Sequence, residues 1–233
     1  MGRRTALPPA AGAEAVTPQD LPPTPWYFDP ASWPDEDCVA AGADLEPATL
    51  VQAYRSGAFP MPHDDLLLWW SPMHRGVLRP GDLRISRSLA RSIRRFTTTV
   101  DTAFADVIDA CADPSRPGAW IDGPIRDAYV RLHELGWAHS VEVWDGADLV
   151  GGLYGVATGS LFAGESMFHR ATDASKVALV ELVRRWDAPG QPWIIDTQWS
   201  TDHLASLGVT ELPRLDYLTL IADLVVTSPR DVW

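Results

Sequence analysis

The run "IIDTQ" places a carboxylate and an amide, Asp196 and Gln198, two residues apart at the end of an apolar stretch. If that stretch is a strand, both side chains point the same way, with Ile195 and Thr197 pointing the other. Spacing alone favours a plain interpretation, in which Asp196 caps the next segment and Gln198 meets solvent. A second candidate is basic. "RISRSLARSIRRF" carries Arg84, Arg87, Arg91, Arg94 and Arg95 with no acid among them. Spacings of three and four gather these on one side of a helix. Such a stripe is either a solvated face or a contact for a phosphate backbone.

Other chemistries fit poorly. Ser166, Asp196 and His203 follow the order of a hydrolase triad, but "GESMF" has Phe168 where a nucleophile elbow requires glycine. "GGLYG" lacks the G-x-G-x-x-G spacing of a dinucleotide loop, so Gly151 and Gly152 are expected at a bulge or a close backbone approach. "HELGWAH" does not place two histidines at zinc-ligand spacing. Cys38 and Cys111 form neither a disulfide framework nor a Cys-based zinc site, and are expected to be small apolar residues in a reducing compartment. No metal site is expected.

The 233 residues suit one large domain or two small ones, and 46% hydrophobic with 21% charged residues is ordinary globular material. No apolar run approaches the roughly 18 residues of a membrane span. The first residues lack a secretion signal's apolar core, and Ala6 stands where a myristoylation motif wants Ser or Thr, so a cytoplasmic protein is expected. A net charge of −12 argues against nucleic acid, which makes the arginine stripe the more telling.

These residues need elements to position them. Residues 1–25, rich in Pro and Ala, are expected to be disordered. Pro47 and Gly57 bracket a helix over 48–56, and "LLLWWSP" reads as a buried strand before a boundary near His74. After the arginine helix come a short strand over 98–101 and the helix "AFADVIDACA". "DGPIRDAYVRLHELG" is a helix with Ile125, Tyr129, Leu132 and Leu135 on its period. Asp145-Gly146 signals a hairpin, and "TGSLFAGESMF" adds a third strand. Asp173 is expected to N-cap "ASKVALVELVRRW". "IIDTQ" is the next strand, "STDHLASLG" a short helix and "PRLDYLTLIADLVV" the last long one. The succession describes an α+β domain.

In one order along the chain, "FPMP", "WWSPMHRGVL", "ISRSLARSIRR", "HELGWAHSVEVW", "GESMF", "ASKVAL", "IIDTQ" and "HLASLG" closely resemble the leucyl/phenylalanyl-tRNA–protein transferases of bacteria. The resemblance spans roughly Trp26 to Val226. It implies an N-degron enzyme that moves Leu or Phe, less well Met, from aminoacyl-tRNA to the α-amino group of proteins beginning with Arg or Lys. It implies a small N-terminal α/β domain, 26–74, and a catalytic domain, 75–233, similar to the Gcn5-related acetyltransferase fold. The acetyltransferases' pyrophosphate loop is absent, and an aminoacyl-tRNA donor removes the need for coenzyme A. A cofactor-free, metal-free monomer is expected.

By the same resemblance Asp196 and Gln198 act on the incoming amine, with Gln198 orienting it and Asp196 holding the Gln198 amide. Trp120 and Tyr129 would line the site for the terminal adenosine and its aminoacyl group, where aromatic faces suit stacking. Glu165 would meet the acceptor's cationic end. Leu153, Phe162 and Ala163 would wall the Leu/Phe pocket, and Arg87, Arg91, Arg94 and Arg95 would contact the acceptor stem. A catalytically idle RNA binder is the runner-up, disfavoured because Asp196, Gln198 and Glu165 are all present. Met61 stands where a Trp often follows "FP", Asp173 and Thr201 replace asparagines, and "AGAD" lacks a second glycine. These departures bear on donor preference and affinity more than on activity.

Overall fold

The computed structural model describes residues 17–64, 66–116, 120–188, 190–230 and 232–233. Ten strands, seven α-helices and one short 3-10 helix (Pro30–Ser32) form among them. β1 (Cys38–Ala41), β2 (Phe59–His63) and β3 (Leu66–Trp70) make one antiparallel sheet in the order β1-β3-β2. The helix α1 (Pro47–Arg55) precedes β2, and Pro47 at its first turn supplies a φ already suited to a helix.

The larger sheet runs in the order β10-β4-β9-β8-β7-β6-β5. Its strands are β4 (His74–Leu78), β5 (Thr97–Val100), β6 (Ala138–Asp145), β7 (Asp148–Thr158), β8 (Leu161–His169), β9 (Ile194–Gln198) and β10 (Thr210–Pro213). All its neighbours are antiparallel except β8 and β9. That parallel pair is joined by α5 (Ala174–Trp186), as a crossover requires. Pairing between β8 and β9 runs from Leu161–Ile194 to Ala163–Asp196 and then stops. A gap opens between the two strand ends.

α5 packs on one face of the sheet, against β6, β7 and β8, beside α2 (Arg87–Arg95). The opposite face carries α1, α3 (Phe104–Cys111) and α4 (Gly123–Glu134). Alternation assigns the strand residues: Phe162 joins the α5-side core, while Ala163 joins the α3/α4 side. Leu50, Tyr54 and Trp69 share that second core with Tyr129 and Tyr154, so the small sheet's helix and the large sheet bury one apolar layer together. α6 (Asp202–Ser206) and α7 (Arg214–Leu224) follow β9, and α7 covers β4 and β10.

Four strands are not anticipated by the sequence: β1, β2, β4 and β10. β2 contains Pro60 and Pro62, which weaken any strand signal, and it is tolerated as the edge of its sheet. Residues 17–25 also differ from the expected disorder. Gln19 donates its N–H to Leu135 O at 2.9 Å and accepts the Trp137 indole at 3.0 Å, and Thr24 bonds Thr49 at 2.7 Å. The remainder of that segment, 1–16, lies outside the described residues. Asp173 precedes α5 but does not cap it with its side chain, because it adopts a left-handed φ of 67°. Its carboxylate instead accepts from Ser92 on α2 at 3.0 Å. Gly151 is the close approach anticipated: a Cβ there would lie 2.5 Å from Ala174 Cβ, so the start of α5 sits directly on the sheet.

Candidate active site

β9 carries Asp196 into the fully buried centre of the sheet. Its carboxylate accepts four hydrogen bonds: Arg75 Nε at 2.8 Å and Nη2 at 2.6 Å, the Tyr217 hydroxyl at 2.9 Å, and the Gln198 backbone N–H at 2.9 Å. Arg75 comes from β4, its guanidinium also donating to Gly57 O and lying 4.5 Å from the Tyr217 ring centroid. Burial works against the Arg75 charge, yet Asp196 beside it holds the guanidinium above its ordinary range. This bidentate, buried geometry is the strongest form of the interaction.

The Asp196 bond to Gln198 N–H turns the chain sharply. Gln198 adopts a φ of 58°, a left-handed conformation that costs a non-glycine residue roughly 1–2 kcal/mol. The turn sends the Gln198 side-chain amide across the gap to β8, where Nε2 donates to Glu165 Oε1 at 3.4 Å. Asp196 therefore fixes the Gln198 backbone rather than its amide, which corrects the sequence expectation. It also leaves no lone pair of Asp196 to orient His203, which removes the hydrolase reading.

Glu165 takes the Tyr129 hydroxyl on its other oxygen at 2.9 Å, and Tyr129 in turn bonds Tyr54. The residue keeps an edge open to the cavity, although protein atoms crowd its carboxyl. Burial pushes that carboxyl up to about 8, against the pull of the two tyrosine hydroxyls. Burial likewise raises the Tyr54, Tyr129 and Tyr154 hydroxyls, so all three stay protonated.

The gap between β8 and β9 is a cavity of about 280 Å³. Leu153, Phe162, Met167, Leu179, Leu182 and Ile195 line its apolar part, and Glu165, Gln198 and His203 its polar part. An apolar pocket with a few convergent polar groups is the usual form of a small-ligand site.

Residues 77–222 match the family described as "Leucyl/phenylalanyl-tRNA protein transferase", and residues 43–73 match that family's N-terminal domain. The leucyl/phenylalanyl-tRNA–protein transferase of Aromatoleum aromaticum is 51% identical over 88% of this chain and 92% of its own. That of Stutzerimonas stutzeri is 52% identical over 79% and 83%, and that of Rhodopseudomonas palustris 50% over 79% and 84%. This chain belongs to the leucyl/phenylalanyl-tRNA protein transferase family. A solved structure of a functionally unknown Staphylococcus epidermidis protein aligns over 60% of this chain and 57% of its own, at 14% identity and a TM-score of 0.40. That likeness is too distant to bear on the fold.

Within this transferase-family chain, the structure brings together Asp196, Gln198, Glu165, Leu153 and Phe162. Three expected residues stand elsewhere. Tyr129 is fully buried behind Glu165, so its ring cannot stack a base. Ala163 packs into the core on the opposite face because it alternates with Phe162. Trp120 is half-buried against that same core and is not part of the cavity wall. Arg87, Arg91, Arg94 and Arg95 are exposed on α2, with Arg95 paired to Asp145. Arg84 falls before the helix begins.

Sequence reasoning missed Arg75, Tyr217 and Tyr54. A signal existed for Arg75: an arginine inside "HRGVL", a short apolar run, must be paired if the run is buried. Nothing local to Tyr217 or Tyr54 separates a polar hydroxyl contact from ordinary core aromatics. Among the described residues no group of three or more His, Cys, Asp or Glu is arranged to hold a metal, and no helix is long and apolar enough to cross a membrane.

Proposed function

We propose that this chain transfers Leu or Phe, and less well Met, from aminoacyl-tRNA to the α-amino group of proteins that begin with Arg or Lys, marking them for degradation. The observation that carries this reading is the cavity itself: an apolar pocket of about 280 Å³ whose mouth holds a buried carboxyl and an oriented amide. The donor's Leu or Phe side chain fills the space walled by Leu153 and Phe162. The acceptor's cationic end meets Glu165, and its positive charge favours the ionised carboxylate that burial alone disfavours.

The reaction forms a C–N bond and breaks the ester C–O bond, and the ribose oxygen leaves with the proton the amine gives up. A free α-amino group has a pKa of about 7.7–8.0, so a neutral fraction exists at pH 7. The enzyme needs chiefly to orient that amine and to favour charge development in the addition step. Gln198 Oε1 accepts from the amine while Nε2 stays on Glu165. Asp196 acts one step removed, by setting the left-handed turn that aims Gln198. An amide is too weak a base to hold the proton, and Gln198 serves as orienter.

Trp120 offers a partly open ring to the terminal adenosine, and the exposed arginines of α2 meet the acceptor-stem phosphates. A parallel β8–β9 pair that parts at the site supports an arrangement like the Gcn5-related acetyltransferases. Residues 26–74 form the smaller unit, 75–233 the catalytic one, and the protein works in the cytoplasm. The test is transfer of labelled Leu from Leu-tRNA to a peptide beginning with Arg, beside one beginning with Ala. Label on the Arg peptide alone supports the reading; label on neither, with tRNA still bound, favours an idle RNA binder.

A further inference from the structure

Beside the cavity, and sharing His203 with it, lies a second hollow of about 380 Å³ at the start of α5. Its wall holds three nitrogen bases, His169, Lys176 and His203, together with Thr172, Ser175 and one acid, Asp173. Two features mark it as built rather than incidental. Asp173, held left-handed and turned toward Ser92, leaves the first N–H groups of α5 without a side-chain cap. Ser175 is 2% exposed, lines this hollow, and its hydroxyl meets no hydrogen-bond partner among the described residues. A nearly buried hydroxyl donor, an uncapped helix N-terminus and an ammonium converge on one space, which is what a phosphate group requires.

We propose that this hollow binds a backbone phosphodiester of the donor's 3′ strand, the link between the aminoacyl pocket and the basic face of α2. The inference rests on the donor being an aminoacyl-tRNA. Ser92 on α2 bonds Asp173 at 3.0 Å, so the arginine helix and the hollow adjoin. Asp173 does not block the site. Its contact with the Lys176 ammonium is 3.3 Å and Lys176 is 31% exposed, which leaves two of three ammonium donors for an incoming oxygen. Burial first, and then Lys176 and His169, hold His203 below its ordinary value, so its ring faces the hollow as a neutral hydrogen-bonding group. The phosphate would thus be held by Lys176, Ser175 and the first turn of α5, and the aminoacyl group would reach past His203 into the cavity.

The test compares two donors for the same enzyme: leucyl-adenosine, which has no phosphodiester, and Leu-tRNA. Lys176→Gln is expected to raise the KM for Leu-tRNA about tenfold, to lower its salt dependence, and to leave transfer from leucyl-adenosine unchanged. Lys176→Arg should restore most of the Leu-tRNA KM, and Ser175→Ala should raise it by a smaller factor. Equal losses with both donors, or no loss with either, overturn the phosphate site while wild-type transfer upholds the activity. If wild-type enzyme transfers from neither donor, the aminoacyltransferase reading itself has failed, and this inference fails with it.

Discussion

Arg75 and Asp196 stand 121 residues apart and meet as a bidentate pair, Nε to Oδ1 at 2.8 Å and Nη2 to Oδ2 at 2.6 Å, with both side chains essentially unexposed. The pair joins β4 to β9 at the one place where β9 must leave the sheet and turn toward the cavity. Its function is geometric. With Tyr217 and the Gln198 N–H also bound, the Asp196 carboxylate has little freedom, and Gln198 inherits that fixity.

Removing one partner strands the other's charge in the core. Asp196→Ala is expected to lower stability by roughly 3–5 kcal/mol as well as turnover, because breaking a buried pair costs that much. Urea unfolding would measure the first effect and single-turnover transfer the second. A variant with unchanged stability and lost turnover would mean that Asp196 touches the reactants directly.

Glu165 gives a pH signature. Its carboxyl rises from an ordinary value near 4.5 to about 8 on folding, so the folded chain binds more protons than the unfolded one between those values. Stability contributed by the protonated form is complete below about pH 4.5 and declines as pH rises toward about 8. Denaturant midpoints at pH 5, 6.5 and 8.5 should fall in that order for this contribution. Glu165→Gln should flatten the trend, and an unchanged slope in that variant would assign the effect to another group.

The arginines of α2 should not be equivalent. Arg91 is exposed and makes no ion pair among the described residues, while Arg95 already pairs with Asp145. Arg91→Ala should weaken tRNA binding more than Arg95→Ala and reduce the slope of log K against log salt by about 0.7–0.9, the amount expected for one phosphate contact. Filter binding at several salt concentrations reads both quantities. Equal slopes for wild type and Arg91→Ala would take α2 off the tRNA path.

Leu153 tests the pocket. Leu153→Ala should enlarge the cavity and shift the ratio of kcat/KM toward Phe-tRNA over Leu-tRNA by about 10-fold, the scale on which apolar pockets discriminate. It should also cost about 2–5 kcal/mol of stability, since Leu153 is 3% exposed. Competition between the two charged donors in one reaction gives the ratio directly. No shift, despite the lost stability, would place the donor's side chain elsewhere.

Much is legible in the order of residues alone. The Asp145-Gly146 turn, the helical period through Tyr129 and the arginine cluster of α2 are set by neighbours within a few residues, and each formed where expected except that Arg84 precedes α2. Ordered blocks such as "GESMF" and "HLASLG" point to the family. The edge strand with two prolines is hidden because its stability comes from pairing with β3, not from its own residues.

The sequence by itself determined the helices, six of the ten strands and the family, because backbone propensity and residue pattern act over short separations. Only the tertiary structure decided what each polar residue meets. Tyr129 is buried away from any base because Tyr54 and Glu165 take its hydroxyl and Tyr154 packs against its ring. Ala163 and Phe162 parted to opposite cores because β8 is buried on both faces. Asp196 is held away from solvent because Arg75 and Tyr217 reach it from distant segments. Those outcomes depend on which surfaces exclude water together, and spacing along one chain does not encode that.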